Sequence, residues 1–154
     1  MKFASATDVA AGIVQMNTSV GELRTQQVLG SKSSLTVATR TPGYHSQPHA
    51  HDCEQLNYVT RGEVWVFVEH EAFHLTRGDF LRIPPSAMHW AWNRSDADVQ
   101  LVEVHTPGLL LDGVSAKVLV EDDEERADQV PSRWGPTDLW QRENAALAAL
   151  GNPR

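Results

Sequence analysis

Short β-prone segments, separated by turn residues, fill the middle of this chain. From residue 34 onward they read SLTVATRTPG, EQLNYVTRG, EVWVFVEH, FHLTRGDFLRIPP, HWAWNRSD and VQLVEVHTPG. Valine, leucine, threonine and aromatic residues dominate them, and most end at the Gly, Pro, Asn or Asp residues that turns favour. Several strands at close, regular spacing predict an antiparallel sandwich or barrel, so we expect an all-β fold. The segments LLLDG and AKVLVE extend the strand pairing to about residue 121.

The sequence before this block is weakly patterned. We interpret residues 1–33 as an N-terminal extension to a barrel that spans residues 34–120. Within the extension, TDVAAGIVQM predicts a short helix that is capped by Thr7 or Asp8.

After the barrel, residues 121–154 read as an acidic connector followed by a helix. The stretch EDDEERADQ has six acids against one arginine and almost nothing apolar, which is typical of a solvated segment. Further on, Asp138 and Gln141 form a capping-box pattern, and Gly151 and Pro153 give a stop signal. These signals predict a C-terminal helix from about residue 139 to residue 150.

Length and charge limit the classes of function. A chain of 154 residues can form one domain with a sizeable core but not two comfortable ones. Its net charge of -7, from 13 basic and 20 acidic residues, argues against nucleic-acid binding and favours a small molecule or another protein as the partner. Cys53 is the only cysteine, and no apolar run reaches the roughly 18 residues of a membrane span. We therefore expect a reduced, cytoplasmic protein without membrane contact.

Two histidines in PHAHDCEQ, residues 48–55, raise the question of a metal site. Side chains alternate along a strand, so His49 and His51 point to the same face. Two imidazoles that converge on one face can bind a metal ion, provided that further donors come from elsewhere in the chain.

The spacing of the residues around these histidines resembles the cupin superfamily. The first cupin motif appears as GYHSQPHAHDCEQLNYVTRG (43–62), with Gln55 in the position of the usual glutamate. The second appears as GDFLRIPPSAMHWAWN (78–93), in which Ser86 replaces a glycine before His89. The resemblance covers residues 43–93. It implies a jelly-roll barrel, the cupin double-stranded β-helix, with one divalent ion bound by His49, His51, Gln55 and His89.

The glutamine changes the expected chemistry of this ion. Gln55 is a neutral donor, so three imidazoles and an amide leave the full double positive charge on the metal. Such an ion is a stronger Lewis acid toward a carbonyl, and a trivalent state is less well compensated. Both effects argue against redox chemistry. The resemblance implies zinc, with iron, nickel or manganese as alternatives. Glu54 can replace Gln55 only if the strand is bulged.

A general base must then come from another residue. Glu103 and His105 lie on one face of VQLVEVHTPG, and both are candidate catalytic residues if that face points inward. His105 or His45 can also add a further metal ligand. An outward, solvated face for Glu103 and His105 is the alternative.

The aromatic residues suggest a substrate pocket and an interface. Trp90 and Trp92 flank His89 and are candidate substrate-pocket residues, with plain packing as the alternative. Trp65 and Phe67 share a strand with valines on the opposite face, so both faces need cover. We predict a homodimer through this strand, with a terminal segment able to cover part of the sheet.

Within the superfamily, the chain resembles the cupin-type aromatic polyketide cyclases of the resistomycin and tetracenomycin type. This resemblance implies an antibiotic-biosynthesis enzyme that uses a zinc ion for aldol-type cyclisation of a polyketone. Two alternatives stay open. One is an iron- or nickel-dependent dioxygenase of a β-diketone or flavonol-like substrate, and the other is a non-catalytic ligand-binding cupin.

Overall fold

The computed structural model describes residues 3–15, 20–120 and 126–151. Its strands are β1 (Gly12–Gln15), β2 (Glu22–Leu29), β3 (Ser34–Arg40), β4 (Ala50–His51), β5 (Glu54–Arg61), β6 (Glu63–Val68), β7 (Glu71–Thr76), β8 (Phe80–Ile83), β9 (His89–Trp92), β10 (Val99–Thr106), β11 (Lys117–Val118) and β12 (Gln129–Val130). One α-helix, α1 (Pro136–Ala149), follows them, and a short 3-10 turn, Ala6–Asp8, precedes them. The prediction of an all-β jelly roll with a C-terminal helix is confirmed.

Two sheets enclose the interior. The larger sheet has the order β1-β2-β3-β10-β5-β8, with β11 parallel to β2, and the smaller one has the order β7-β6-β9. A third pairing joins β12 to β4. Buried apolar residues from both main sheets, including Leu23, Val59, Val66 and Leu101, form one core between them.

The turn between β5 and β6 shows why a motif glycine is needed. Gly62 has a φ of +76°, and a Cβ atom on it would lie 2.7 Å from the carbonyl oxygen of Asp98. Only glycine fits both the backbone conformation and the close approach. The turn therefore fixes the direction in which the chain passes from β5 to β6.

The motif position without a glycine keeps the same kind of turn. Ser86 has a φ of +62°, and the N–H of Ala87 donates to the carbonyl of Pro84 at 3.3 Å. The Ser86 N–H also donates to the carbonyl of His51 at 2.7 Å. The replacement of glycine thus leaves a left-handed turn in place and ties it to β4.

Helix α1 covers the aromatic face of the smaller sheet. Trp65 and Phe67 are 6% and 0% exposed, and they cluster with Leu139 and Leu147 of the helix. The valines of β6 point the other way, into the core between the sheets. The exposed aromatic face that motivated the predicted homodimer is therefore filled by the chain itself, and the homodimer stays a prediction without this reason.

A different apolar surface is exposed on the outer side of the larger sheet. Leu56, Tyr58 and Phe80 are 47%, 38% and 77% exposed. The rings of Tyr58 and Phe80 lie 4.6 Å apart on the paired strands β5 and β8.

The predicted N-terminal helix is wrong within the described residues. Residues 12–15 form β1, which pairs with β2 in an antiparallel register that sets Gly12 opposite Thr25. Pairing with the sheet outweighs a weak local helix preference. The segment interpreted as an extension therefore adds β1 and β2 to the larger sheet.

The C-terminal predictions hold in part. Helix α1 begins at Pro136, earlier than expected, because the Asp138 carboxylate accepts a hydrogen bond of 2.9 Å from the Gly135 N–H. Residues 121–125 of the predicted acidic connector, and residues 152–154, lie outside the described residues. The rest of the connector is not simply solvated, because Ala127 is buried and β12 pairs with β4. In the part of the chain that the structure describes, no helix is long and apolar enough for a membrane span.

Candidate metal centre

Three histidines from two segments meet at one end of the interior. His49 and His51 lie at β4, and His89 begins β9. His49 and His89 exchange two backbone hydrogen bonds of 3.0 and 2.9 Å, which hold the two segments side by side. One ring nitrogen from each of the three histidines lies within 4.8 Å of the others. The fold thus brings together the three predicted histidines.

Each imidazole is oriented by a backbone carbonyl two residues away. These carbonyls belong to Gln47, Cys53 and Ala87, and they lie 2.9, 3.2 and 2.9 Å from the Nδ1 atoms of His49, His51 and His89. Because a carbonyl only accepts hydrogen bonds, each Nδ1 carries the proton. The Nε2 atom of each neutral ring then presents a lone pair.

One of these lone pairs, on His89, is deeply buried. The Nε2 atom of His89 is buried and has no hydrogen-bond partner among the described residues. Burial lowers the pKa of His49, and it lowers the pKa of His89 well below its usual value, with the other histidines adding to the effect on His89. Convergent, unprotonated nitrogens of this kind are what a divalent ion requires.

Gln55 lies beside the histidines, as predicted. Its Oε1 atom is 3.1 Å from Nε2 of His51, and its Nε2 atom donates to Asn57 Oδ1 at 2.8 Å. The bond to Asn57 turns the amide oxygen toward the imidazoles. A second acceptor thus faces the His51 lone pair, an arrangement that a cation between them would stabilise.

Glu54 does not take the place of Gln55. The Glu54 carboxylate pairs with Arg82 at 2.5 Å on the outer side of the sheet. The pairing of β5 with β8 is regular through Gln55, opposite Ile83, so no bulge exchanges the two side chains. The alternative in which Glu54 joins the site is therefore wrong.

The donor set fits a divalent ion. Three imidazole nitrogens and one amide oxygen suit zinc, iron, nickel or manganese, since imidazole binds all four and an amide oxygen adds no charge. All four donors are neutral. The ligands would therefore leave the double positive charge of a bound divalent ion uncompensated.

His105 lies next to this donor set. It faces Gln55 across the pairing of β10 with β5, and its ring centroid is 5.2 Å from that of His51. Its Nδ1 atom is buried without a partner among the described residues. Burial lowers the pKa of His105 to about 4, against the opposing effect of Glu103. His105 is thus a neutral ring in the interior.

Glu103 faces the same interior, which resolves the two alternatives for this strand in favour of the inward one. It is 4% exposed, and its Oε1 atom accepts a hydrogen bond of 2.5 Å from Arg40 Nη2. Burial acts to raise the pKa of Glu103, but the Arg40 guanidinium and His105 outweigh it and the net pKa lies below its usual value. Glu103 is therefore an ionised carboxylate.

Sequence reasoning missed Arg40 and Tyr44. The Arg40 side chain ends β3 on the same face as Ser34, Thr36 and Ala38, all of which are buried. The alternation along SLTVATR carried this signal, because it gives Arg40 the parity of the inward residues.

A cavity of about 240 Å³ connects these groups. Histidines, Gln55, Glu103 and Arg40 form its polar wall. Its apolar wall includes Leu23, Tyr44, Val66, Ile83 and Leu101.

The two predicted pocket tryptophans differ in their relation to the cavity. Trp92 is not among the described residues that line the cavity, and its ring stacks on His45 at 4.7 Å. Trp90 lines part of the cavity, but its ring stacks on Phe67 in the cluster under α1. The reason is strand alternation, because His89 points inward and its neighbour Trp90 points toward the helix. His45 pairs with Glu143 of α1 and is not a cavity residue.

Comparison with known proteins gives one family. Residues 36–105 match the model of the cupin domain. No curated protein matches the chain.

Solved structures with this fold are numerous. An RmlC-like cupin from Shewanella frigidimarina aligns with a TM-score of 0.58 and 23% identity, over 70% of this chain and 91% of that one. The polyketide cyclase RemF from Streptomyces resistomycificus aligns with a TM-score of 0.60 and 21% identity, over 69% of this chain and 79% of that one. A predicted oxalate decarboxylase from Thermotoga maritima aligns with a TM-score of 0.61 and 16% identity, over 69% and 99%. At these identities the likeness shows the fold alone.

Proposed function

The chain belongs to the cupin superfamily through residues 36–105, and from this premise we propose that it is a metal-dependent enzyme for a carbonyl-rich small molecule. The reaction that we propose is aldol-type cyclisation of a short polyketone, as a polyketide cyclase performs it.

One observation carries the proposal: the donor set is entirely neutral. His49, His51, His89 and Gln55 converge without a carboxylate among them. When bound there, a divalent ion supplies Lewis-acid polarisation of a carbonyl oxygen. A carbonyl polarised in this way acidifies the carbon atom next to it.

Glu103 is the residue that we assign as the base. It is ionised, buried and part of the same cavity wall as the histidines. In the first step, the carboxylate takes a proton from a carbon atom next to a carbonyl, such as the terminal methyl group of a methyl ketone, and the C–H electron pair moves to that carbonyl oxygen. In the second step, that carbon attacks a distant carbonyl of the same molecule, a C–C bond forms, and Glu103 returns the proton to the new alkoxide.

His105 has a supporting role in this scheme. Its unpartnered Nδ1 atom lies in the cavity wall, and its ring is neutral because burial lowers its pKa to about 4. A neutral imidazole can orient a substrate hydroxyl by accepting its proton in a hydrogen bond. Loss of water from the cyclised product then gives the aromatic ring.

The cavity volume limits the substrate. Pockets for drug-sized ligands span roughly 300–1,000 Å³. The cavity of about 240 Å³ is smaller, so it suits a substrate that closes one ring rather than a long polyketide chain. The alignment with a polyketide cyclase supports the reaction class but does not bear on this size.

A dioxygenase of a β-diketone is the second candidate. Its support is His105, which adds a fourth imidazole close to His51 and so resembles the nitrogen-rich sites that hold iron.

The test measures metal content, oxygen uptake and product together. The purified protein is analysed for bound metals and then given acetylacetone or the linear triketone diacetylacetone. We expect about one zinc ion per chain, no oxygen uptake, and conversion of diacetylacetone to orcinol with loss of one water. Iron together with stoichiometric oxygen uptake would support the dioxygenase instead. Bound ligand without any turnover would indicate a non-catalytic cupin.

A further inference from the structure

Two of the three guanidinium nitrogens of Arg40 have no hydrogen-bond partner among the described residues. Arg40 is only 8% exposed, and its Nη2 atom donates to Glu103. Its Nε and Nη1 atoms are buried and have no hydrogen-bond partner among the described residues. Arginine presents its five N–H donors as a planar fork, so one edge of this guanidinium serves Glu103 and other donors stay available.

Unused donors on a buried cation are costly. A buried polar group without a partner loses its hydration without a hydrogen bond in return, and a charged group loses more. Tyr44 compensates in part: its ring centroid is 5.5 Å from the guanidinium carbon, and its hydroxyl acts on the guanidinium in the direction that raises the Arg40 pKa. Retention of such a group in a cavity wall is typical of a site that a ligand completes.

The ligand that suits these donors is a carboxylate. Two N–H groups of one guanidinium match the two oxygens of a carboxylate, and charge-assisted hydrogen bonds of this kind are about twice as strong as neutral ones. Arg40 lines the same cavity as His49, His51 and His89, so one small molecule can reach both.

The charges around the cavity also favour a carboxylate ligand. The buried pair of Arg40 and Glu103 sums to zero, and the four donors from the histidines and Gln55 are neutral. A divalent ion would therefore leave two uncompensated positive charges in an enclosed site. A substrate carboxylate would neutralise one of them, whereas an uncharged polyketone would neutralise neither.

We infer that Arg40 is a carboxylate-binding residue and that the substrate is a short polyketo acid, with its carboxylate on Arg40 and its keto groups toward the histidines. The placement of the keto groups near the histidines rests on the proposed function. The binding of a carboxylate by Arg40 does not. It assigns specificity to a residue outside the cupin motif residues.

Two probes of nearly equal shape test it. Triacetate has the skeleton of diacetylacetone, with a carboxylate oxygen in place of one terminal methyl group. We expect wild-type protein to bind triacetate at least tenfold more tightly by calorimetry, both in the metal-free and in the metal-loaded form. The metal-free measurement isolates Arg40, because there a carboxylate cannot gain its affinity from the ion.

The variant Arg40→Lys keeps the charge opposite Glu103 but loses the fork. We expect the preference for triacetate to fall to about threefold or less, while Arg61→Lys, at an exposed arginine on β5, leaves it unchanged. If Arg40→Lys does not fold, the double variant Arg40→Met with Glu103→Gln removes both charges, and it should bind the two probes equally.

The outcomes separate this inference from the proposed function. Equal binding of both probes by wild-type protein, or an unchanged preference in Arg40→Lys, would overturn the role of Arg40 even if diacetylacetone is cyclised. A preference for triacetate that depends on Arg40, in a protein that does not cyclise diacetylacetone, would support the carboxylate site and reject the cyclase.

Discussion

Both faces of strand β9 are buried, but the polar atoms on the two faces differ in whether they have hydrogen-bond partners. His89 points into the cavity, where its Nε2 atom has no partner among the described residues. Trp90, the next residue, points toward α1, and its Nε1 atom donates to the Glu143 carboxylate at 2.7 Å. The two side chains are 4% and 1% exposed. Burial alone therefore does not distinguish the two regions.

The helix side is a cluster of buried aromatic and aliphatic side chains. The Trp90 ring stacks on Phe67 with centroids 5.0 Å apart and meets the edge of Trp134 at 5.7 Å. The buried carboxylate of Glu143 also pairs with His45, so the one acid in this layer has two donors. Every polar atom named here serves to attach the helix to the sheet.

The cavity side has the opposite character. Among the described residues, the unpartnered buried side-chain atoms are His89 Nε2, His105 Nδ1, two nitrogens of Arg40 and Thr25 Oγ1, and all of these residues except Thr25 line the cavity. Folding alone would select against such atoms, because each one costs stability. The comparison teaches that the region with unpaired polar groups is the region kept for a ligand.

Substitutions of Trp90 and of His89 should separate an effect on stability from an effect on metal binding. Trp90→Ala removes a fully buried aromatic ring and should lower the free energy of unfolding by about 3–5 kcal/mol. His89→Ala should change the stability of the metal-free protein less, because it loses one hydrogen bond, from Nδ1 to the Ala87 carbonyl, and removes a buried Nε2 atom that has no partner among the described residues. It should instead weaken metal binding by more than the roughly 10–100-fold that loss of an outer-shell partner costs. Urea unfolding and metal titration of both variants measure the two effects.

His74→Ala is the matched control for the histidine, since His74 is 40% exposed and lies on the outer strand β7. A loss of metal affinity in His74→Ala equal to that in His89→Ala would remove the distinction between the two sides of β9.

Removal of the metal should affect stability through the cavity side only. A ligand at a free concentration 100-fold above its Kd stabilises the folded state by about 2.7 kcal/mol. At about 2–4 °C per kcal/mol, chelation should lower the melting temperature by roughly 5–10 °C. In His89→Ala the chelator should have almost no effect, which makes that variant the control. An unchanged melting curve of the wild-type protein after verified metal removal would contradict a structural contribution from the site.

The cavity side was more predictable from the sequence than the helix side. His49, His51, Gln55 and His89 stand in motif order, and strand alternation carries them to one face. The burial of the aromatic face by α1 was not predictable, because it depends on where that helix packs. The helix lies more than 40 residues further along the chain. Strand β1 was missed for a related reason, since only its pairing with β2 makes Gly12–Gln15 extended.

Gln55→Glu tests the neutral donor set with a smaller effect. The change keeps the size of the side chain but adds a negative charge beside the histidines, which should reduce the Lewis acidity of the bound ion. The rate of cyclisation should then fall by about tenfold for each 1.4 kcal/mol of lost transition-state stabilisation. Turnover of diacetylacetone is measured after metal content is confirmed. A dioxygenase should tolerate the change or gain from it, and an undiminished cyclisation rate would contradict the role of charge.

The smallest effect concerns the turn that leads into β9. Ser86 holds a φ of +62°, a conformation that costs an ordinary residue roughly 1–2 kcal/mol and glycine almost nothing. Its exposed hydroxyl has no partner among the described residues, so Ser86→Gly loses no side-chain contact. Glycine has a more flexible unfolded state, which offsets about 0.5–1 kcal/mol of the gain. We therefore expect a net stabilisation of up to about 1 kcal/mol, with metal affinity unchanged.

Glu69→Gly is the informative contrast, because Glu69 also has a positive φ, of +51°, but its carboxylate accepts hydrogen bonds from the Met88 N–H and Arg133. That variant should be destabilised, since relief of backbone strain cannot replace two lost hydrogen bonds. If urea unfolding instead ranks Ser86→Gly below the wild-type protein, the serine must stabilise the turn in a way that outweighs its strained backbone.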